Sequence, residues 1–118
     1  MGVSRFEDLR VWQLAFELCR EVDLAFDAAA RSRDWTLWQQ LNAAALSTVA
    51  NIAEGFSRSR HREFAQFVRI ARASNAEVRA LLHVTKSRRY VSESEIDKLF
   101  KMTESVSKML WRLEEKLR

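Results

Sequence analysis

The chain has 118 residues, of which 47% are hydrophobic and 31% are charged, and its formal net charge is +4. This composition is too apolar for a disordered chain, and no apolar run approaches the roughly 20 residues that would span a bilayer. Cys19 is the only cysteine, which excludes an intramolecular disulfide and a cysteine-based metal cluster. Because the N-terminal residues form no signal peptide, we expect one cytoplasmic domain over residues 1–118 that needs no metal or cofactor.

Turn-forming residues are scarce along the whole chain. Proline is absent, and glycine occurs only at positions 2 and 55. All-β and α/β folds need many more such residues for their turns, whereas abundant Leu, Ala, Arg, Glu and Lys favour helix. The sequence therefore predicts an all-α fold, an antiparallel up-down-up-down bundle of four long helices with short connections.

The first helix is predicted over residues 8–30, where apolar side chains follow helical spacing in two adjacent rows. One row is Trp12, Phe16, Cys19 and Phe26, and the other is Val11, Leu14, Leu18, Val22 and Ala25. Together the rows make a face wider than one core needs. We expect the surplus to pack against a second copy of the chain.

The second helix is predicted over residues 35–56, with Asp34 as its N-cap. Small residues in its middle allow a neighbouring backbone to approach closely. Gly55 lies where a helix end favours a residue that tolerates positive φ. The third helix is predicted over residues 61–87.

The fourth helix follows Ser92 and Glu95, which match the capping-box pattern of a helix start. Its apolar residues alternate steps of three and four, the spacing of a coiled-coil seam. The seam residues are Ile96, Leu99, Thr103, Val106, Leu110, Leu113 and Leu117.

Three segments share sequence patterns with one protein family: residues 6–15 (FEDLRVWQLA), residues 51–55 (NIAEG) and residues 63–77 (EFAQFVRIARASNAE). They resemble the bacterial four-helix-bundle proteins encoded in intervening sequences of 23S ribosomal RNA genes. The resemblance implies a small bundle that assembles as a homo-oligomer, a five-membered ring, and it implies no established activity. Its motif residues, structural or functional, are Asn51, Glu54, Gly55, Glu63 and Glu77.

The chain departs from the family pattern at three places, one of which is Thr48 and Val49, where the family commonly has a proline shortly after the serine, here Ser47. The family commonly has arginines before a pair of alanines, here Ala44 and Ala45. In this chain Leu41, Asn42 and Ala43 precede that pair. Arg89 stands where the family usually has a glycine before the corner tyrosine, Tyr90. The fold prediction is unaffected, but a function that depends on the missing arginines is not expected here.

Positive charge is concentrated in residues 57–90, where nine Lys/Arg stand against two acids, a net of +7. The rest of the chain holds eleven bases and fourteen acids, a net of −3. The candidate nucleic-acid-binding residues are Arg58, Arg60, Arg62, Arg69, Arg72, Arg79, Lys86, Arg88 and Arg89. Helical spacing places Arg62, Arg69, Arg72, Arg79, His83 and Lys86 along one side of the third helix, which we call the basic stripe.

Two explanations fit the basic stripe. RNA or DNA phosphates would compensate its charges, and binding would then depend strongly on salt. Alternatively, acids of another subunit or of the first helix lie opposite it, the latter being Glu17, Glu21, Asp23 and Asp27. Trp35 and Trp38 suit base stacking, but tryptophan at helical spacing is also typical of a core or an interface. The alternative function is a protein-interaction or scaffolding module without nucleic-acid binding.

Residues with catalytic potential are few. His61, Glu63 and Glu54 surround one connection, yet each has a structural role available at a helix end. Two histidines 22 positions apart and one cysteine on another helix make a poor metal site. The arginine–histidine spacing of helical ribonucleases of the HEPN type is not matched by Arg79 and His83, which have three residues between them. We expect a protein that is not an enzyme and binds no small-molecule substrate.

Overall fold

The computed structural model describes residues 2–118, and Met1, the first residue of the domain predicted over 1–118, lies outside them. One turn of 3-10 helix at Phe6–Asp8 precedes five α-helices, and the described residues contain no strand. The helices are α1 (Arg10–Ala25), α2 (Ala28–Arg33), α3 (Trp35–Phe56), α4 (His61–Arg88) and α5 (Glu93–Lys116). The prediction of an all-helical fold is confirmed.

The first helix is not continuous over residues 8–30, so that prediction is wrong. The backbone leaves the helical conformation at Phe26, and the Asp27 side chain accepts a hydrogen bond from the Ala30 N–H at 2.8 Å. An aspartate that caps a new helix start competes with continuation of the old helix. The Arg31 guanidinium closes the corner by donating to the Phe26 carbonyl and to Asp23 Oδ1, both at 2.7 Å.

The predicted starts of the second and fourth helices are confirmed. Asp34 accepts from the Leu37 N–H at 3.2 Å, and Ser92 Oγ accepts from the Glu95 N–H at 3.3 Å. Only half of the capping box forms, because the Glu95 carboxylate accepts from the Ser92 hydroxyl at 3.1 Å instead of from the backbone of Ser92.

The four long helices enclose one hydrophobic core. α1 lies beside α3 and α5, α4 lies beside the same two helices, and no Cα atom of α1 comes within 8 Å of one of α4, so α1 and α4 lie on a diagonal. All seven predicted seam residues of α5 are buried. In the described part of the chain, no helix combines the length and the apolar character that crossing a membrane requires.

Gly55 is required by packing, so the expectation of a positive φ there is wrong. It lies inside α3, and a Cβ added to it would stand 2.7 Å from Phe67 Cβ and 2.9 Å from Phe64 Cδ1 on α4. Real Cβ atoms do not approach other atoms this closely. Among residues 2–118 the residue with positive φ is Arg89, which ends α4 in the left-handed conformation at φ 59°.

Candidate nucleic-acid interface

In the middle of the basic stripe, Arg69 and Arg72 contact a buried carboxylate of α5. Glu114 on α5 is only 3% exposed. It accepts hydrogen bonds from Arg72 Nη1 at 2.8 Å and from Arg69 Nη1 at 3.1 Å, and Arg118 Nη2 lies 3.7 Å away. One carboxylate therefore faces three guanidinium groups, and these four side chains together carry a net positive charge.

These contacts determine the ionisation of Glu114. Burial by itself would raise the pKa of this carboxyl, but the hydrogen bonds and charges of Arg72 and Arg69 outweigh it and lower the pKa below its usual value. Glu114 is consequently a carboxylate at neutral pH. It holds the two arginines in place and connects α4 to α5.

Arg79 and His83 continue the stripe around Phe100 of α5. Arg79 Nη1 donates to the Phe100 carbonyl at 3.4 Å and to Thr103 Oγ1 at 3.3 Å, and its Cζ lies 5.4 Å from the centroid of the Phe100 ring. The His83 and Phe100 rings lie 4.6 Å apart. Because these partners are uncharged, the charge of Arg79 is not neutralised.

The acids of the first helix do not face the stripe, so that expectation is wrong. α1 and α4 lie on the diagonal of the bundle, and no Cα atoms of the two helices come within 8 Å of each other. Each acid has another partner: Arg20 for Glu17, Lys98 for Glu21, Arg31 for Asp23 and the Ala30 N–H for Asp27. The compensating carboxylate is Glu114, which the seam pattern did not single out.

The candidate bases at the two ends of α4 have different surroundings. Arg58 pairs with Glu54 at 2.7 Å, and Arg88 donates to Asp34, on a side of α4 away from the stripe. Within residues 2–118, five of the nine candidates have no carboxylate within 4.0 Å. They are Arg60, Arg62, Arg79, Lys86 and Arg89. Unpaired bases thus lie toward both ends of α4, and Arg69 and Arg72, which share one carboxylate, lie between them.

The α5 side of this surface was not predicted from the sequence. Trp111 is 52% exposed and lies in a shallow cavity of about 420 Å³, lined also by Arg72, Ser107, Lys108 and Arg112. The sequence did hold a signal for it: Trp111 lies outside the apolar seam of α5 and close to the basic residues Lys108 and Arg112. Of the tryptophans considered for stacking, Trp38 is buried against Phe26, and Trp35 is 55% exposed elsewhere.

Two of the family-motif residues, Asn51 and Gly55, support the contact between α3 and α4, whereas Glu54 and Glu77 are exposed. Asn51 Nδ2 donates to the Ser47 carbonyl at 2.8 Å and to Ser47 Oγ at 3.0 Å, and Ser47 Oγ lies 2.7 Å from Ser74 Oγ on α4. Asn51 therefore braces the α3–α4 contact through Ser47. Glu63 and Glu77 are 14 positions apart on α4, roughly 21 Å at the helical rise, so they do not share a site.

The candidate catalytic group is not assembled. Within the described chain, His61 makes no hydrogen bond to Glu54 or Glu63, and Glu54 is engaged by Arg58. No three His, Cys, Asp or Glu side chains of the described residues converge in an arrangement that could hold a metal ion. Cys19 is half-buried on α1, and burial raises the pKa of its thiol.

The sequence of residues 7–112 matches the family described as 23S rRNA-intervening sequence protein. The chain belongs to this family. The match covers the capped helix starts, the Gly55 contact and the basic stripe, and it confirms the resemblance seen in the sequence. No curated protein matches the chain.

The fold also matches solved structures, among them a crystal structure of a protein of unknown function from the S23 ribosomal protein family of Bacteroides thetaiotaomicron VPI-5482. The TM-score is 0.78 at 18% sequence identity, over 86% of this chain and 95% of that chain. At this identity the likeness shows a shared fold.

Proposed function

We propose that this member of the 23S rRNA-intervening sequence protein family is a cytoplasmic, non-enzymatic protein that binds RNA or DNA through the basic stripe. We also propose that it is a single-domain, antiparallel up-down-up-down four-helix bundle, and that it assembles as a homo-oligomer, a five-membered ring. The observation that carries the binding proposal is the excess of guanidinium and ammonium groups over carboxylates along α4.

The arrangement around Glu114 supports phosphate binding. Arg69 and Arg72 each give the carboxylate one nitrogen, Nη1, and a guanidinium has five N–H donors in a planar fork. The remaining donors are available to a phosphate. Because the side chains are already fixed by Glu114, less conformational entropy is lost when they bind a ligand.

The antiparallel arrangement is supported by the order of contacts between neighbouring helices. Gly55 is closest to Phe67, whereas Ser47, earlier in α3, meets Ser74, later in α4. Arg72 meets Glu114, whereas Arg79 meets Phe100, which comes earlier in α5. In both pairs the contacting positions run in opposite directions.

Self-association is supported by apolar side chains left on α1. Phe16 is 44% exposed and stacks on Trp12 at 5.2 Å between ring centroids. We expect light scattering at micromolar concentration to give the mass of several chains, and Phe16→Asp to reduce it. A monomeric mass for the wild type would remove this part of the proposal.

The binding experiment compares two double variants with the same change of charge. Arg62→Glu with Lys86→Glu reverses two stripe residues, and Arg10→Glu with Arg20→Glu reverses two exposed residues of α1. Fluorescence anisotropy at low salt with a structured RNA and a DNA duplex should show a loss of affinity for the stripe variant that clearly exceeds the loss for the α1 variant. Equal losses, or no binding by the wild type, would contradict the proposal.

The second candidate function is a protein-interaction or scaffolding module. Exposed Leu24 and Trp35, together with Phe16, supply apolar contact area for a protein partner. This candidate replaces the first if neither RNA nor DNA is retained at low salt.

A further inference from the structure

Two tryptophans of this protein are more than half exposed, and their surroundings differ in charge. The cavity at Trp35 contains two acids, Asp23 and Asp27, and one base, Arg31, so its net charge is negative and would repel a polyanion. The cavity at Trp111 contains Arg72, Lys108 and Arg112, and no acid of the described residues lines it. An aromatic face surrounded only by basic and neutral side chains suits a ligand that is flat and carries negative charge.

The acids near Trp111 along α5 cancel only part of this charge. Glu114 accepts from Arg72 at 2.8 Å, but it is shared with Arg69. Glu104 lies 3.4 Å from Lys108, and Glu115 lies 3.9 Å from Arg118, and these last four side chains are exposed. Exposed pairs of this kind are weak and exchange readily with solvent. Among the described residues, Arg112 takes part in no ion pair.

The cavity is continuous with the basic stripe through Arg72. The Glu114 carboxylate accepts from Arg72 Nη1 at 2.8 Å, and Arg72 also lines the cavity around Trp111. A phosphate backbone that follows α4 would therefore bring its next nucleotide to the tryptophan face.

We propose that Trp111 stacks on the base of an unpaired nucleotide, while Arg72, Lys108 and Arg112 bind the adjoining phosphates. This inference rests on the proposed nucleic-acid binding and names the preferred form, single-stranded RNA or DNA. Inside a duplex both faces of each base are covered by neighbouring bases, so an exposed indole can stack only on a terminal base pair. Every base has a π-face, so this contact carries little sequence preference.

The test uses the full chain and four fluorescein-labelled probes: oligo(U), oligo(dT), and RNA and DNA duplexes of the same length. Trp111→Ala should weaken binding to both single strands by about tenfold, within the range for loss of one base–aromatic stack, and leave duplex binding within about twofold. Trp111→Phe should retain most of the affinity. Trp35→Ala is the matched control, because it also removes an exposed tryptophan. It should change neither single-strand binding nor duplex binding.

The outcomes separate this inference from the proposed function. Single-strand binding that is unchanged in Trp111→Ala, or reduced equally with duplex binding, overturns the stacking site while the basic interface stands. A loss confined to one of the two single strands supports stacking and identifies that nucleic acid as the ligand. If the wild type binds none of the four probes at low salt, the proposed function itself fails.

Discussion

The carboxylate of Glu114 accepts a hydrogen bond from Arg72 at 2.8 Å, across the contact between α5 and α4. The glutamate is almost completely buried, whereas the side chain of Arg72 is partly exposed and belongs to the proposed nucleic-acid interface. The same ion pair therefore stabilises the bundle and sets the charge of its surface. Changing the glutamate should move these two properties in opposite directions.

Glu114→Gln should lower the free energy of unfolding by about 1–3 kcal/mol, the range for a partner lost from a buried hydrogen-bonded group. The amide can still accept from one arginine, but its NH₂ group would face the other. The variant should bind RNA or DNA more tightly at low salt, because Arg69 and Arg72 lose their negative partner. Urea unfolding and anisotropy measure the two effects.

The control for this change is Glu17→Gln on α1, which removes one exposed negative charge on the diagonal helix. It should leave both stability and affinity nearly unchanged. Unchanged binding by Glu114→Gln, with the fold intact by circular dichroism, would show that the two arginines are not part of the interface. Weaker binding would show that their positioning by Glu114 outweighs the gain in positive charge.

Stability should fall in acid, and Glu114 should account for part of the fall. Its pKa is lower in the folded protein than its usual value, because the arginine contacts outweigh burial. A carboxyl of this kind contributes stability above its unfolded pKa, about 4.3 for glutamate, and loses the contribution as the pH falls through its folded pKa. In urea titrations below about pH 5, Glu114→Gln should therefore lose less stability than the wild type. Parallel curves would contradict this assignment.

Arg89→Gly should stabilise the protein by about 0.5–1 kcal/mol. Arg89 ends α4 at φ 59°, a conformation that costs an L-residue energy and that glycine adopts freely. Arg89→Ala is the matched control, because it removes the same charge and keeps the Cβ. A gain of equal size in both variants would point to charge as the cause.

Gly55→Ala should destabilise the protein by about 1–3 kcal/mol, the usual cost of overpacking a core. Alanine is the better helix former, so only the steric conflict with Phe67 and Phe64 gives the substitution this sign. Gly2→Ala, whose Cβ would meet nothing within 4 Å, should have no effect. Thermal unfolding of the two variants and the wild type measures the difference. If Gly55→Ala is as stable as the wild type, α3 and α4 can move apart without a loss of stability.

Much of the fold could be predicted from local patterns. The seam of α5 keeps its period without interruption, and the caps at Asp34 and Ser92 need only a side chain and a nearby N–H. The break at Phe26 was missed because the apolar period continues through it, although Asp27 was available as a cap signal.

The site was harder to predict because it depends on which helices are neighbours. Sequence spacing placed Arg69 and Arg72 on one side of α4, but it could not say whether α1 or α5 lies opposite. Glu114 follows the seam residue Leu113 in the sequence, so its burial against α4 is visible only in three dimensions. Gly55 was noticed for its conformational freedom, and packing gives it a different role.

The salt dependence of binding tests the polyanion interface most directly. Each phosphate neutralised by a Lys or Arg contributes about −0.9 to the slope of log K against log salt for duplex DNA. We predict a clearly negative slope for the wild type, shallower by about 1 in each of Arg62→Ala and Lys86→Ala. A slope near zero, or slopes that these substitutions leave unchanged, would contradict binding through the basic stripe.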